Sequence, residues 1–155
     1  MSAGNVIQLF EAVLNFFKAD DWPITILEPE AVLHTVFRGE HGEWNCFALV
    51  RDEFKQVAFY SVCPIAVPVS QRPAVAEFLM RRNYDLHLGN FELNFDSGEV
   101  RYRTSLNIGE HDFSPELLRP IIYTNVLMMD QNLPGIMSVS YGQVSPLEAL
   151  ASIEN

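Results

Sequence analysis

Residues 70–106 read SQRPAVAEFLMRRNYDLHLGNFELNFDSGEVRYRTSL, and this stretch decides the fold class. Ser70 is placed to cap a helix, and Pro73 falls in its first turn, where a missing N–H does no harm. Val75, Phe78, Leu79 and Arg82 share one helical face, and Asn83 ends the helix near Tyr84. A strand over 86–95 follows, apolar at Leu86, Leu88, Phe91, Leu93 and Phe95, with Gly89-Asn90 breaking the alternation as a bulge. Asp96-Ser97-Gly98 is a turn whose glycine supplies a positive φ. On the return strand Val100, Tyr102, Thr104 and Leu106 alternate with Glu99, Arg101, Arg103 and Ser105, so one side is packed and the other wet.

Upstream, Val6, Leu9, Phe10, Val13, Leu14 and Phe17 recur at helical spacing and predict an amphipathic helix over 5–18, capped by Asn5 and ended before Pro23. Three strands are expected at 31–38, 43–51 and 56–65, joined by short turns at 39–42 and 51–55, with 24–28 as a short lead-in. Both faces of 43–51 are largely apolar, the pattern of a strand covered on each side. Downstream, Ser114 as N-cap, Pro115 and Glu116 open a helix whose stripe of Leu117, Leu118, Ile121, Ile122, Val126 and Met129 runs to 131. Leu133-Pro134-Gly135 is expected to stop it. Ile136, Val139 and Tyr141 then suggest an extended segment, and Ser145-Pro146-Leu147-Glu148 a capping box opening a last helix to about 153. The expected architecture is α+β: an antiparallel sheet of about five strands flanked by helices, in the order α-β-β-β-α-β-β-α. One domain spans 1–155, with 132–155 a C-terminal extension ending in a short helix.

Ten basic against twenty acidic residues give a net charge of −10. That argues against a nucleic-acid binder, which needs a basic footprint, and against docking on anionic lipid. No apolar run reaches the roughly 18 residues a membrane span requires. The N-terminus lacks a basic region before its apolar residues, so no signal peptide and a cytoplasmic setting are expected. Cys46 and Cys63 lie in apolar strand-like runs and read as buried thiols.

Sites of chemistry are sparse. His34 and Cys46 lie on neighbouring strands, yet no third group is available to orient them as a nucleophile pair. His34, His41, His87, His111 and the cysteines show no metal-ligand spacing. The glycines form no phosphate loop. Glu28 with Glu30, and Glu40 with Glu43, read as a solvated rim rather than an acid–base pair. Arg81-Arg82 complements a helix dipole. No catalytic residue, cofactor or metal is expected. Arg101 and Arg103, two apart on one strand face, are able to clamp an acidic group; the plainer reading pairs them with a nearby acid such as Glu92. Apolar surplus is the stronger signal: Phe16 beside Phe17, and Tyr123, Met128 and Met129 widening the helix over 114–131, are candidate protein contacts.

The order helix, three-strand meander, helix, hairpin, helix resembles the YbjN-domain family of bacterial proteins, which shares the fold of type III secretion chaperones. The residues that carry the resemblance are Tyr84-Asp85-Leu86-His87-Leu88-Gly89-Asn90-Phe91-Glu92-Leu93, the turn Asp96-Ser97-Gly98-Glu99-Val100, and Arg101-Tyr102-Arg103. Tyr141-Gly142 and the 145–150 tail look like the longer cyanobacterial members. The resemblance implies an α+β domain that pairs into homodimers and binds other polypeptides, and it brings no catalytic residues. Some members are labelled sensory transduction regulators. Two functions are therefore expected in order: a non-enzymatic, chaperone-like module burying apolar surface against a client polypeptide, with Arg101 and Arg103 pairing with client acids; or a regulatory subunit holding a small ligand between the helix over 114–131 and the sheet.

Overall fold

The first helix, α1, spans Leu9–Ala19 and buries Leu9, Val13, Phe16 and Phe17. The computed structural model describes residues 8–29 and 31–153, so the cap expected at Asn5 and the acid pair involving Glu30 lie outside the described residues. Gln8 occupies the N-cap position without a side-chain bond. Asp52 serves instead from across the fold: its Oδ1 accepts the Leu9 N–H at 2.8 Å and that of Phe10 at 3.4 Å. A carboxylate there satisfies orphan donors and complements the helix dipole.

The sheet has six antiparallel strands, one more than expected: β1 Thr25–Leu27, β2 Val32–Arg38, β3 Glu43–Arg51, β4 Gln56–Val62, β5 Asn90–Leu93 and β6 Val100–Asn107. Their spatial order is β1-β2-β3-β4-β6-β5. The lead-in at 24–28 supplies the sixth. The strand expected over 86–95 is shorter, and Gly89-Asn90 is its entrance rather than a bulge. Gly89 sits at φ +80°, and a Cβ there would run into the Arg103 carbonyl and the Thr104 and Tyr102 side chains. The Tyr102 hydroxyl donates to the Leu88 carbonyl, and the Asn83 side chain both accepts from Phe91 N (2.7 Å) and donates to Phe91 O (3.0 Å). The hairpin turn is as expected, with Gly98 at φ +82° packed against the Val67 backbone.

Helix α2 covers Arg72–Tyr84, because 69–71 forms a 3-10 turn first; Gln71, not Ser70, is the N-cap. Helix α3 is the main departure. Ser114 takes the N-cap position without a side-chain bond, and the helix continues through Pro134 to Ser140. Leu133, Ile136 and Val139 are buried as helical positions, so the expected stop and extended segment do not form. Packing outweighs the local signal here: a Cβ on Gly135 would lie 2.7 Å from Phe78 Cζ, so the glycine is where α2 meets the α3 backbone. Helix α4, Pro146–Ile153, opens with the expected capping box: Ser145 N donates to Glu148 Oε1 (2.9 Å) and Glu148 N to Ser145 Oγ (3.2 Å).

The core lies between one sheet face and the helices. Strands β3 and β4 alternate strictly, with Trp44, Cys46, Ala48, Val50, Val57, Phe59 and Ser61 buried. Phe17 of α1 stacks on Phe59, with centroids 5.9 Å apart. From α3, the Asn125 side-chain nitrogen lies 2.9 Å from Phe59 O and 3.1 Å from Tyr102 O, and Ile121 O accepts from Thr104 Oγ1 at 2.8 Å. These bonds fix α3 across β4 and β6.

Candidate functional site

The opposite face of the sheet carries no helix among the described residues. Its side chains alternate with the buried set and are half-buried or exposed. The register aligns Thr25, His34, Phe47, Tyr60, Arg103 and Asn90 into one row crossing all six strands. Leu27, Val32, Leu49, Ala58 and Ser105 form the row beside it. The apolar outer side of β3 was expected to lie beneath a second covering layer; it is open instead. Phe47, Leu49 and Tyr60 are the residues that reading missed, and their signal was the two-sided apolarity itself.

Arg101, Arg103 and Glu92 meet at the end of this face. Arg101 Nε donates to Glu92 Oε1 at 2.6 Å, and Arg103 Nη2 to Glu92 Oε2 at 2.9 Å. Both guanidinium groups lie over the Tyr60 ring, Arg101 Cζ at 4.4 Å and Arg103 Cζ at 5.4 Å from its centroid. Burial alone would raise the Glu92 pKa, but the hydrogen bond and charge of Arg101, with those of Arg103, outweigh it and hold the carboxyl below its ordinary range. One acid serves two cations, and Arg103 Nε is shielded with no partner among the described residues. A depression of about 280 Å³ adjoins the pair, lined by Leu49, Ala58, Tyr60, Arg51, Arg103 and Ser105 among others.

The other expected contacts fall elsewhere. Phe16 and Met129 are core residues, 3% and 0% exposed, so neither presents surface in the monomer. Phe16 packs edge-on against Phe17, with both rings buried on the same helix. Tyr123 is half-buried in a polar cluster: its hydroxyl donates to Asp20 Oδ2 (3.2 Å) and accepts from Trp22 Nε1 (3.3 Å). Met128 is half-buried against the core. The space between α3 and the sheet is filled by Phe59, Tyr102, Ile122, Val126 and Met129, all fully buried.

The thiol pair separates. His34 is opposite Phe47 on the open face and bonds Asn45 Oδ1 at 2.9 Å, while Cys46 points into the core beside Ser61 Oγ. Burial pushes the Cys46 thiol up to about 12 and that of Cys63 up to about 11, so neither is a thiolate near neutral pH. Glu40, His41 and Asp130 come together with their ligand atoms within 4.8 Å of one another. The Asp130 oxygens are already engaged, however, accepting the backbone N–H groups of Glu40 (2.9 Å) and His41 (2.8 Å). The cluster anchors the β2–β3 turn to α3.

An antiparallel sheet with helices on one face, in this chain order, defines an α+β domain. Residues 10–136 match the model of the YbjN family, described as "Putative bacterial sensory transduction regulator", and the chain belongs to that family. The crystal structure of YbjN from E. coli superposes with a TM-score of 0.64 at 11% identity, over 88% of this chain and 95% of that one. ExsC, in the crystal structure of the ExsC-ExsE complex, superposes at 0.61 and 12% identity, over 83% and 96% of the respective chains. No curated protein matches the chain by sequence. Among the described residues, no helix is long and apolar enough to cross a membrane.

Proposed function

We propose that this protein is a non-enzymatic, chaperone-like binding module that works as a homodimer and receives a partner polypeptide on the open face of its sheet. The observation that carries this reading is the register-aligned band of His34, Phe47, Tyr60 and Arg103, flanked by Leu49, Ala58 and Val36, with no covering element among the described residues. Apolar groups left at a water boundary gain free energy when a partner covers them, about 25 cal/mol per Å². The likeness to ExsC, seen in complex with ExsE, supports binding of another protein over chemistry.

The test is site-specific photocrosslinking in the source cell, with a benzophenone side chain at Tyr60 and, as control, at Tyr84, an exposed residue of α2 (90% exposed). Discrete adducts at position 60 that are absent at 84 are expected; identical patterns at both would sink the assignment of the face. Light scattering is expected to give about twice 17.6 kDa, and a monomer at high concentration would remove the dimer from the proposal.

A further inference from the structure

We propose that Arg101 and Arg103, held over Tyr60, are the receiving site for a carboxylate on an extended, otherwise apolar segment of the partner, with Glu92 as its internal competitor. This rests on the protein-binding reading above and names the partner's chemistry. The first argument is charge. The chain as a whole stands at −10, but the open face carries four arginines (Arg38, Arg51, Arg101, Arg103) against three glutamates (Glu43, Glu92 and, at the strand end beside Arg101, Glu99). This face is locally basic on an acidic protein, so it attracts an acidic partner that the rest of the surface repels.

The second argument is hydrogen-bond capacity. A guanidinium carries five N–H donors. Glu92 takes one from each arginine, at Arg101 Nε and Arg103 Nη2. Among the described residues, the remaining Nη donors of Arg101 meet only the Tyr60 ring, and the two side chains stay 37% and 39% exposed. Arg38 differs, being paired one-to-one with Glu43.

The third argument is shape. Six strands at the usual spacing make a face roughly 24 Å wide and about 23 Å long, or on the order of 550 Å². The width corresponds to about seven residues of extended chain, so the face suits one extended segment lying along the aligned rows. Leu49, Ala58 and Tyr60 then take its apolar side chains in the depression beside Arg103.

Immobilised peptides of about twelve residues, alternating Val and Thr with a central Glu, Gln or Lys, provide the probe. The native protein is expected to favour the Glu peptide over the Gln peptide by about tenfold, the worth of one charge-assisted pair. The preference should vanish in Arg101→Gln/Arg103→Gln while retention of the Gln peptide persists. Glu92→Gln, which frees the two arginines without removing them, is expected to raise retention of the Glu peptide; a purely structural role for the triad predicts the reverse. Equal retention of Glu and Gln peptides by the native protein overturns the carboxylate site and leaves the binding face standing. Failure to retain any peptide, together with adducts absent at Tyr60, overturns the binding face itself.

Discussion

The His41 Nδ1 atom stands 3.1 Å from the backbone carbonyl oxygen of Asp130. In a regular helix that oxygen would accept from residue 134, but residue 134 is proline and has no N–H to give. The β2–β3 turn fills the vacancy, and the Asp130 carboxylate returns the contact by accepting two turn N–H groups. Gly39 allows this approach, since a Cβ there would lie 2.5 Å from Asp130 Oδ1.

Asp130→Ala is therefore expected to destabilise the fold by about 2 kcal/mol, because two backbone donors of the turn lose a charged acceptor. Asp130→Asn, which keeps one oxygen, should cost less. Urea unfolding followed by far-UV circular dichroism measures both. An unchanged midpoint for Asp130→Ala would mean that the turn is not held from α3.

Gly135→Ala sets two known effects against each other. Alanine gains about 1 kcal/mol of helix propensity over glycine. The new methyl would meet Phe78 Cζ at 2.7 Å and Cε1 at 3.1 Å, and Phe78 is fully buried. A ring packed on all sides cannot yield cheaply, and overpacking costs about 1–3 kcal/mol. Net destabilisation is expected, with recovery in Gly135→Ala/Phe78→Leu. A stabilised single variant would show that α2 has room to shift.

Much of this arrangement was legible in the sequence, and what was not has a common cause. The capping box at Ser145–Glu148, the Gly98 turn and the alternation of β6 are local, set by residues within a few positions of one another, and they appear as expected. The end of α3 was misjudged because Pro134-Gly135 is a local stop signal overridden by distant partners, His41 on one side and Phe78 on the other. Asp52 capping α1 and Asp130 holding the β2–β3 turn are long-range in the same way. At the candidate site, Arg101, Arg103 and Glu92 were visible from strand alternation. Their setting beside Phe47 and Tyr60 was not, since two-sided apolarity does not reveal whether a second layer comes from the same chain.

Cys46 and Cys63 give a chemical check on the core. Their thiols are displaced to about 12 and about 11 by burial. Neither should react with an aromatic disulfide reagent at about pH 8 in the native protein, while both should react in denaturant, where thiols return to about 8.5. Rapid native labelling of Cys46 would contradict its placement between β3 and the helices.

Glu92 links stability to pH in a direction that can be worked out. Its folded pKa lies below the ordinary 4.5, so the folded state prefers the ionised form. The resulting stability is fully present above the unfolded pKa and is lost as pH falls through the folded one. Because the side chain is still 30% exposed, solvent screening keeps the contribution to about 1 kcal/mol. Glu92→Gln should therefore lower stability slightly near neutral pH, and the gap between native protein and variant should narrow at an acid pH below the ordinary carboxylate value. Paired urea titrations at the two pH values measure it. A gap that widens on acidification would mean that Glu92 is not held ionised by Arg101 and Arg103. The same variant is expected to bind an acidic segment more tightly while folding less stably, and that opposition separates a contact surface from a purely structural ion pair.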